Sequence, residues 1–299
     1  MHALANAGYE FPRVAGTSAG AIVAAMVAAL QKAGEPLTNL DELSEKLDFQ
    51  QFADPSLIGR LPAIGPVLSL VVHQGIYRGD RLERILSELL AERGVRTFGD
   101  LRTGEEAVQY AWSLVVTAAD LSRRRLVRIP WDLPSYGLDP DEFSVARAVR
   151  ASASVVNFFQ PVRVPSPAGV ATWVDGGLLS NFPVSLFDRP SPRWPTFGIR
   201  LSGPPGIPPT RPVRNTWDLA LAAAETLISD QDGAYVDDPC TLRRTIFVPV
   251  AGINSLKFNL TPAEREELYQ NGVRAGEEFL ATWDFAAYCA ACRLPGECS

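Results

Sequence analysis

Apolar segments that predict buried strands alternate with segments of helical periodicity along most of the chain. A short apolar run ends at Ala15, and an almost wholly apolar segment, Ala19–Leu30, follows a turn of small residues. Leucine and isoleucine recur at helical spacing over about Asp80–Glu92, where Asp80 is the predicted N-cap and Gly94 the predicted stop. This alternation predicts an α/β fold with a mainly parallel central sheet flanked by helices.

The other elements follow from shorter patterns. The predicted strands are Trp112–Leu121, an antiparallel neighbour over Arg124–Trp131, a run ending at Val174, Thr196–Ser202 and Thr245–Val250. The predicted helices are Asp41–Phe52, Ser144–Val155, Trp217–Leu227 and Thr261–Leu280. Prolines exclude a helix or a central strand over Gly203–Arg214.

Composition places the chain among ordinary globular proteins. Of its 299 residues, 46% are hydrophobic and 21% charged, and the length allows one large domain or two smaller ones. The net charge of -6 argues against a nucleic-acid surface, and the basic run Arg123–Arg125 is interpreted as a solvated turn. Because no apolar run reaches ~18 residues and no charged leader precedes an apolar stretch, a soluble cytoplasmic protein is expected.

The cysteines give a weak signal. Cys289, Cys292 and Cys298 lie close together near the end of the chain, and the fourth cysteine is distant. They are too few for a disulfide framework, and Cys-x-x-Cys alone is at most half of a zinc site. We therefore expect reduced cysteines, a reducing compartment and no metal site.

The turn after Ala15 is the strongest chemical signal. It reads Gly16-Thr17-Ser18-Ala19-Gly20, a Gly-x-Ser-x-Gly pattern between a predicted strand and a predicted helix. In that context the reversal forces the serine into a strained conformation that exposes its hydroxyl, and the N–H of the next residue, here Ala19, can bind an oxyanion. The alternative is a glycine-rich turn that serves only close packing.

A serine nucleophile needs a base, and the sequence offers few histidines. The two histidines are His2, at the start of the chain, and His73, which no acidic residue follows at a recognisable spacing. Asp175 stands at the end of a predicted buried strand and is followed by Gly176 and Gly177. Functional side chains of α/β sheets gather at such strand ends, so Asp175 is the predicted base. Taken alone, Asp-Gly-Gly also fits a simple turn.

At this point the residues resemble the patatin-like phospholipase family. The resemblance covers about residues 8–184 and rests on five blocks: GYEFPRVAGTSAGAIVAAMVAAL, GIYRGDRLERIL, LVVTAADLSRRRLV, RASASVVNFFQPV and WVDGGLLSNFPV. It implies a three-layer α/β/α catalytic domain over 1–202. Residues 203–285 would pack on the same domain, and 286–299 would form a cysteine-containing tail.

The resemblance also implies a mechanism. Members of the family hydrolyse lipid acyl esters with a Ser–Asp dyad, which makes Ser18 the nucleophile and Asp175 the general base. Asn181 and the pair Ser152 and Ser154 would brace the site, and Asp120 would cap a strand end. The implied partners are a lipid or ester substrate and a transient contact with a membrane surface. No cofactor or metal is required, and the oligomeric state is left open.

One feature of the family has no counterpart in these residues. The family's first strand and the glycine-rich loop that completes its oxyanion hole are not found, and "MHALANAGYEFPRV" resembles only the end of the helix that follows them. Loss of one oxyanion donor costs about 2.7–4 kcal/mol, or about 10²–10³ in rate. The interpretations are a sequence that starts late, which we favour, or a decayed or repurposed homologue.

Three functions are therefore compared. The first is a serine hydrolase of lipid acyl esters, and the second is a catalytically impaired homologue that binds lipid without turnover. The third, a nucleotide-binding protein, is disfavoured because Gly16–Gly20 lacks the lysine and the spacing of a phosphate-binding loop. The segment Pro55–Val72 would be ordinary core or, alternatively, a mobile cover that meets lipid.

Overall fold

The computed structural model describes residues 1–46, 75–180, 182–189, 192–202, 212–213, 238–250 and 260–292. The segment Pro55–Val72, the predicted helix Trp217–Leu227 and the residues His73 and Asn181 lie outside the described residues. No helix in the described part of the chain is long and apolar enough to cross a membrane.

The chain divides into two compact units. The larger consists of Phe11–Pro183 and Thr216–Gln231, and the smaller of Met1–Glu10, Val184–Asn215 and Asp232–Ser299. The predicted division of the chain at residues 202 and 285 stays a prediction.

The larger unit is built on a five-stranded sheet. Its strands are β1 (Val14–Gly16), β3 (Leu114–Asp120), β4 (Arg125–Ile129), β6 (Val162–Ser166) and β7 (Gly169–Asp175), and a separate parallel pair joins β2 (Gly75–Tyr77) to β5 (Asn157–Phe159). β3 is the central strand; β1 pairs with it in parallel, whereas β4 and β7 pair with it antiparallel, as β6 does with β7.

The α/β class is confirmed, and the strand pairing is mixed rather than mainly parallel. The connections explain two of the antiparallel pairs, β3–β4 and β6–β7. Only the turn Leu121–Arg124 separates β3 from β4, and a still shorter turn, residues 167–168, separates β6 from β7. Such connections permit only antiparallel neighbours, because a parallel pair needs a crossover of a dozen or more residues.

The described residues of the larger unit also form four α-helices. They are α2 (Ala19–Ala33), α3 (Leu40–Lys46), α4 (Asp80–Ala91) and α5 (Val145–Ser152). α2 follows β1 directly and is buried over most of its length, as its apolar sequence predicts. α4 buries the predicted leucine face, but its N-cap is Gly79, so Asp80 is the first helical residue rather than the cap. α5 begins after the N-cap Ser144, whose side chain accepts the Arg147 N–H.

The smaller unit contains the parallel strands β8 (Gly198–Ser202) and β9 (Thr245–Pro249). Its helices are α1 (His2–Asn6), α6 (Pro239–Arg243), α7 (Pro262–Thr282) and α8 (Phe285–Cys292). The predicted helix near residue 261 is confirmed, and a capping box between Thr261 and Glu264 explains its start. Rings of Phe197, Phe279 and Trp283 pack at centroid distances of 5.1 to 5.5 Å.

The cysteines depart from the expectation. Cys240 at the start of α6 forms a disulfide with Cys292 at the end of α8, and Cys289 is also disulfide-bonded. The described residues contain no free cysteine and no group of three potential metal ligands. The prediction of reduced cysteines is therefore wrong for them, because the partner of Cys292 is distant in sequence. The cysteine-based argument for a reducing compartment is lost with it.

Candidate active site

Ser18 occupies a strained turn between β1 and α2. Its backbone has φ 54° and ψ -123°, and Arg124 is the only other non-glycine residue with positive φ among those the structure describes. Such a conformation is unfavourable for a residue with a side chain and persists only where the surroundings impose it. The local chain therefore has the strand–turn–helix geometry in which a Gly-x-Ser-x-Gly serine presents its hydroxyl.

The two glycines of the motif have different roles. A Cβ atom on Gly16 would lie 2.2 Å from the Gly20 carbonyl oxygen, so no larger residue fits there without moving the backbone. A Cβ atom on Gly20 would meet nothing within 4 Å, and Gly20 is exposed. The sharp turn therefore requires glycine at position 16, whereas position 20 has room for a side chain.

Asp175 is the last residue of β7, and its carboxylate meets the Ser18 side chain. The Ser18 hydroxyl donates to Asp175 Oδ2 at 2.6 Å, and the Gly177 N–H donates to Asp175 Oδ1 at 2.7 Å. A Cβ atom on Gly176 would lie 2.4 Å from the Thr117 carbonyl oxygen. Gly176 thus lets the chain turn closely against β3. Each oxygen of the Asp175 carboxylate accepts one hydrogen bond, from Ser18 or from Gly177.

Two strands that approach from opposite directions bring this pair together. β4 occupies one edge of β3 from Val116 to Asp120, so β1 and β7 must share the other edge. β1 ends opposite Val116 and β7 ends opposite Ala118. Ser18 lies just after the end of β1, and Asp175 is the last residue of β7. These two strand ends face each other along β3 with a single β3 residue between them.

That residue is Thr117, and sequence analysis did not identify it. Its side chain is fully buried, and its Oγ1 lies 2.6 Å from Thr17 Oγ1. Thr17 Oγ1 also donates to the Ser180 carbonyl at 3.1 Å, which ties the serine turn to the segment after Asp175. Thr117 belongs to an apolar strand, where a threonine gives no sign of a functional role. Only the strand register and its contact with Thr17 show that it lies beside the Ser–Asp pair.

Burial raises the pKa of the Asp175 carboxyl from 3.8 to about 6. The side chain is removed from water, which disfavours its charged form, and the hydrogen bonds from Ser18 and Gly177 lower the pKa only in part. Neither histidine supplies an alternative base in the described residues. His2 Nδ1 lies 3.3 Å from the Tyr269 hydroxyl within the smaller unit, and His73 is not among those described.

The end of α5 contacts both members of the pair. Ser152 Oγ accepts the Ser18 N–H at 2.9 Å, and the Ser154 carbonyl accepts the Asp175 N–H at 2.9 Å. Both serines are fully buried. The Ser154 hydroxyl itself bonds to Arg150 rather than to the Ser–Asp pair. The segment "ASAS", residues 151–154, therefore holds both backbones. The Ser152 side chain binds the Ser18 N–H, and the Ser154 carbonyl binds the Asp175 N–H.

The Ala19 N–H is the candidate oxyanion donor of the turn. The Ser18 N–H is already bonded to Ser152, and the Gly20 N–H donates to the Thr17 carbonyl at 2.8 Å. Ala19 is exposed at the N-terminus of α2, and its N–H has no acceptor among the described residues. Such a donor at a helix N-terminus favours negative charge.

Asp120 lies apart from this pair. Its Oδ1 accepts the N–H groups of Ser122 and Arg123 at 2.8 and 3.1 Å, and its Oδ2 accepts the Tyr136 hydroxyl at 2.7 Å. Burial, with the hydrogen bond to Asp120 adding to it, raises the pKa of Tyr136 to about 12. The predicted structural role of Asp120 at the end of β3 is therefore confirmed.

Ser152→Ala is expected to lower kcat about 10- to 100-fold with little change in KM. It removes the acceptor of the half-buried Ser18 N–H and lets the strained turn relax, and small displacements of reacting groups have effects of this size. Steady-state kinetics on a soluble ester measure kcat and KM separately. Ser152→Thr, which keeps the hydroxyl, should restore most of kcat. Ser154→Ala is the matched control, because the carbonyl that holds Asp175 remains. Equal losses in both alanine variants would contradict a specific role for Ser152.

Comparison with known proteins places these features in a family. The model of the family described as patatin-like phospholipase matches residues 1–188. The uncharacterized protein YqhO of Bacillus subtilis is 36% identical over 282 residues, which cover 94% of this chain and 92% of that protein. The uncharacterized protein R571 of Acanthamoeba polyphaga mimivirus is 23% identical over 276 residues, with 88% and 80% covered.

A solved structure supports the fold. The crystal structure of VipD from Legionella pneumophila aligns with a TM-score of 0.53 at 16% sequence identity, over 94% of this chain. The alignment spans 63% of VipD, so the likeness concerns part of that protein and shows the fold alone. The family model covers more than half of the chain, and YqhO matches over nearly all of it. The chain belongs to the patatin-like phospholipase family.

Proposed function

We propose that the protein hydrolyses carboxylic esters of lipids through an acyl-enzyme, with Ser18 as nucleophile and Asp175 as general base. The observation that carries this proposal is the 2.6 Å hydrogen bond from the Ser18 hydroxyl to Asp175 Oδ2, made from a strained turn at a helix N-terminus. A nucleophile and a base within hydrogen-bond reach, with the base held by a third group, is the arrangement that activates a serine.

Acylation would begin with attack of Ser18 Oγ on the ester carbonyl carbon. The Ser18 proton passes to Asp175 Oδ2, and the carbonyl oxygen gains negative charge next to the Ala19 N–H. Collapse of this intermediate breaks the bond to the alcohol oxygen, which takes the proton from Asp175. The products of this half-reaction are an acyl ester on Ser18 and a free alcohol.

Deacylation would use the same groups in reverse. A water molecule takes the place of the alcohol, Asp175 accepts one of its protons, and the hydroxide attacks the acyl carbonyl. The bond to Ser18 Oγ then breaks, and Asp175 returns the proton to the serine. Gly177 holds the other carboxylate oxygen throughout, so the carboxylate keeps its orientation while it gains and loses the proton.

The environment of Asp175 suits this double role. An aspartate with a pKa of 3.8 is a weak base, whereas a pKa raised to about 6 brings it closer to neutral pH. General acid–base catalysis is most effective when the pKa lies near the working pH. Burial of the carboxylate thus supports its use first as a base and then, once protonated, as an acid.

Lipid binding without turnover is the competing function. Among the described residues, the Ala19 N–H is the single donor assigned to the oxyanion, and each missing donor costs about 2.7–4 kcal/mol. A chain with an intact Ser–Asp pair but too few oxyanion donors would bind lipid without measurable turnover. Kinetics on the full chain separate the two functions.

Ser18→Ala is expected to abolish hydrolysis of a short-chain p-nitrophenyl ester and reaction with a fluorophosphonate probe. The alanine removes the only atom that forms the covalent bond, so the remaining rate falls to the level that binding alone supports. Ser87→Ala, an exposed serine on α4, is the matched control and should keep full activity. Wild-type protein that is folded but shows neither turnover nor labelling would favour the lipid-binding function.

A further inference from the structure

Two buried hydroxyl groups lie beside the Ser–Asp pair, and the chemistry proposed above does not use them. They belong to Thr17, in the serine turn Gly16–Gly20, and to Thr117 in β3. Thr117 is fully buried, and Thr17 is 6% exposed. Because a buried hydroxyl is costly unless it is hydrogen-bonded, the partners of these two groups show which segments they join.

The contacts of Thr17 fix the direction of these hydrogen bonds. Thr17 Oγ1 donates to the Ser180 carbonyl oxygen at 3.1 Å and lies 2.6 Å from Thr117 Oγ1. A hydroxyl has a single proton to donate, and a carbonyl oxygen can only accept. The Thr17 proton is therefore committed to Ser180, and Thr117 is the donor in the contact between the two threonines. We call this directed pair of hydrogen bonds, from Thr117 through Thr17 to Ser180, the threonine bridge.

The threonine bridge joins the serine turn to the turn that follows β7. We call this second turn, Asp175–Ser180, the aspartate turn. Its Ser180 N–H donates to the Gly176 carbonyl at 2.9 Å. Its Gly177 N–H donates to Asp175 Oδ1 at 2.7 Å. The bridge therefore reaches Asp175 through a turn closed by its own hydrogen bonds, whose far end is bonded to the residue next to Ser18.

Thr117 anchors the bridge in the central strand. It occupies the single position of β3 between the ends of β1 and β7, and it pairs with Arg128 of β4 on the other edge. A Cβ atom on Gly176 would lie 2.6 Å from Thr117 Oγ1, so the aspartate turn packs directly against this hydroxyl. The bridge is thus held by the sheet, which belongs to neither turn.

The bond between Ser18 and Asp175 also joins the two turns, and ester hydrolysis would interrupt it. In the free protein the Ser18 hydroxyl donates to Asp175 Oδ2 at 2.6 Å. Once Ser18 carries an acyl group its oxygen has no proton, so this bond cannot form in the acyl-enzyme. Acylation changes no atom of the threonine bridge. In that intermediate the bridge is therefore the direct link between the two turns that remains among the described residues.

Deacylation is the step that depends most on this link. Asp175 then takes a proton from water while that water attacks the acyl group on Ser18, so the carboxylate and the acyl carbon must keep their separation. A displacement of about 1 Å between reacting groups costs about 10²-fold in rate. Ser152 and Ser154 hold the N–H groups of Ser18 and Asp175, and leave the far end of the aspartate turn to the bridge. During acylation the Ser18–Asp175 bond itself sets the distance, so loss of the bridge affects that step less.

We propose that Thr117 is a positioning residue for deacylation, which acts through Thr17 to hold the aspartate turn in place against the serine turn. The kinetic part of this proposal rests on the proposed function, because it concerns one step of the same ester hydrolysis. The structural part states that the bridge holds the two turns together when the Ser18 hydroxyl is lost, and it does not depend on turnover. Separate measurements therefore test the two parts.

Thr117→Val removes the donor of the bridge and keeps the shape of the side chain. Pre-steady-state hydrolysis of a short-chain p-nitrophenyl ester by the full chain separates the two half-reactions, because p-nitrophenol is released on acylation. Deacylation should slow about 10- to 100-fold, since the reacting groups lose their alignment. As a result kcat and KM should fall together, while kcat/KM and the rate of fluorophosphonate labelling of Ser18 change less than about three-fold.

Thr117→Ser is the matched control. It keeps the hydroxyl but removes a buried methyl group, so it loses packing while it retains the bridge. Its deacylation rate should stay within about three-fold of wild type whatever its thermal stability. Thr17→Val should slow deacylation as Thr117→Val does, and the double variant should add little, because both changes remove one bridge. Deacylation rates that simply follow thermal stability across these variants would overturn the kinetic part.

Amide hydrogen exchange tests the bridge without any turnover. Ser18→Ala removes the Ser18–Asp175 bond, as acylation would. In that background Thr117→Val should raise the exchange rate of the Gly177 and Ser180 N–H groups at least about ten-fold, against less than about three-fold with Ser18 intact. Equal effects in the two backgrounds would overturn the proposal. The expected exchange pattern in a protein that shows neither labelling nor turnover would retain the bridge and refute the proposed hydrolysis, and with it the role in deacylation.

Discussion

Asp175→Asn is expected to lower kcat/KM about 10³- to 10⁴-fold and, at pH 8, to make the fold more stable. The loss of activity follows because an amide cannot accept the Ser18 proton, and removal of a comparable orienting carboxylate has an effect of this size. The amide nevertheless retains the shape of the side chain and an oxygen that can accept the Gly177 N–H. Steady-state kinetics on a soluble ester and thermal unfolding measure the two effects.

The gain in stability follows from the raised pKa of Asp175. Its folded-state pKa of about 6 exceeds the ordinary value of 3.8, so the folded protein binds this proton more tightly than the unfolded chain does. The contribution of Asp175 to the free energy of unfolding is therefore largest below about pH 4 and is lost as the pH rises through 6. The difference corresponds to about 3 kcal/mol above pH 6. The stabilisation by Asp175→Asn should appear over the same interval and vanish at low pH.

Asp141→Asn provides the control of opposite sign. Hydrogen bonds from the Arg102 guanidinium hold the pKa of the Asp141 carboxyl below its usual value. Its contribution to stability is present above the ordinary carboxyl pKa and is lost as the pH falls. Asp141→Asn should therefore destabilise the protein at neutral pH and leave kcat unchanged. An Asp175→Asn protein that is less stable than wild type at pH 8 would contradict the assignment of a buried, destabilising charge.

Gly16→Ala is expected to destabilise the fold by about 3 kcal/mol or more and to remove activity. The added Cβ atom would lie 2.2 Å from the Gly20 carbonyl oxygen, which is backbone and cannot move aside as a flexible side chain can. Overpacking of this kind typically costs about 1–3 kcal/mol, and here the displaced backbone also carries Ser18. Denaturant unfolding and fluorophosphonate labelling report the two effects.

Gly20→Ala is the matched control within the same motif. No atom lies within 4 Å of the position that the added methyl group would occupy, and Gly20 lies in the first turn of α2. Alanine is favoured over glycine in a helix by up to about 1 kcal/mol. Gly20→Ala should therefore fold at least as well as wild type and keep its reactivity with the probe. Equal destabilisation by the two substitutions would contradict the different roles given to the two glycines.

Local signals in the sequence predicted much of the fold. The run Ala19–Leu30, the leucine face of α4 and the helical segment Thr261–Leu280 each predicted their element from neighbouring residues. The serine turn and the Asp-Gly-Gly segment also have local signatures, so the sequence alone identifies both Ser18 and Asp175.

The rest depends on contacts between distant parts of the chain. Thr117 and Ser152 belong to an apolar strand and an alanine-rich helix, and only the folded chain brings them to Thr17 and Ser18. The arrangement of β1 and β7 along one edge of β3 is a property of sheet register, which no single segment specifies. The disulfide from Cys240 to Cys292 escaped prediction for the same reason, because α6 and α8 meet only in the folded smaller unit.

The rate of fluorophosphonate labelling as a function of pH, with the adduct located by mass spectrometry, tests the central claim most directly. The account predicts one adduct on Ser18 and a rate that rises about ten-fold per pH unit up to about pH 6 and then levels off, because Asp175 must be ionised to take the proton. Asp175→Asn should label slowly at every pH. An adduct on another residue, or the same pH profile in Asp175→Asn, would contradict activation of Ser18 by Asp175.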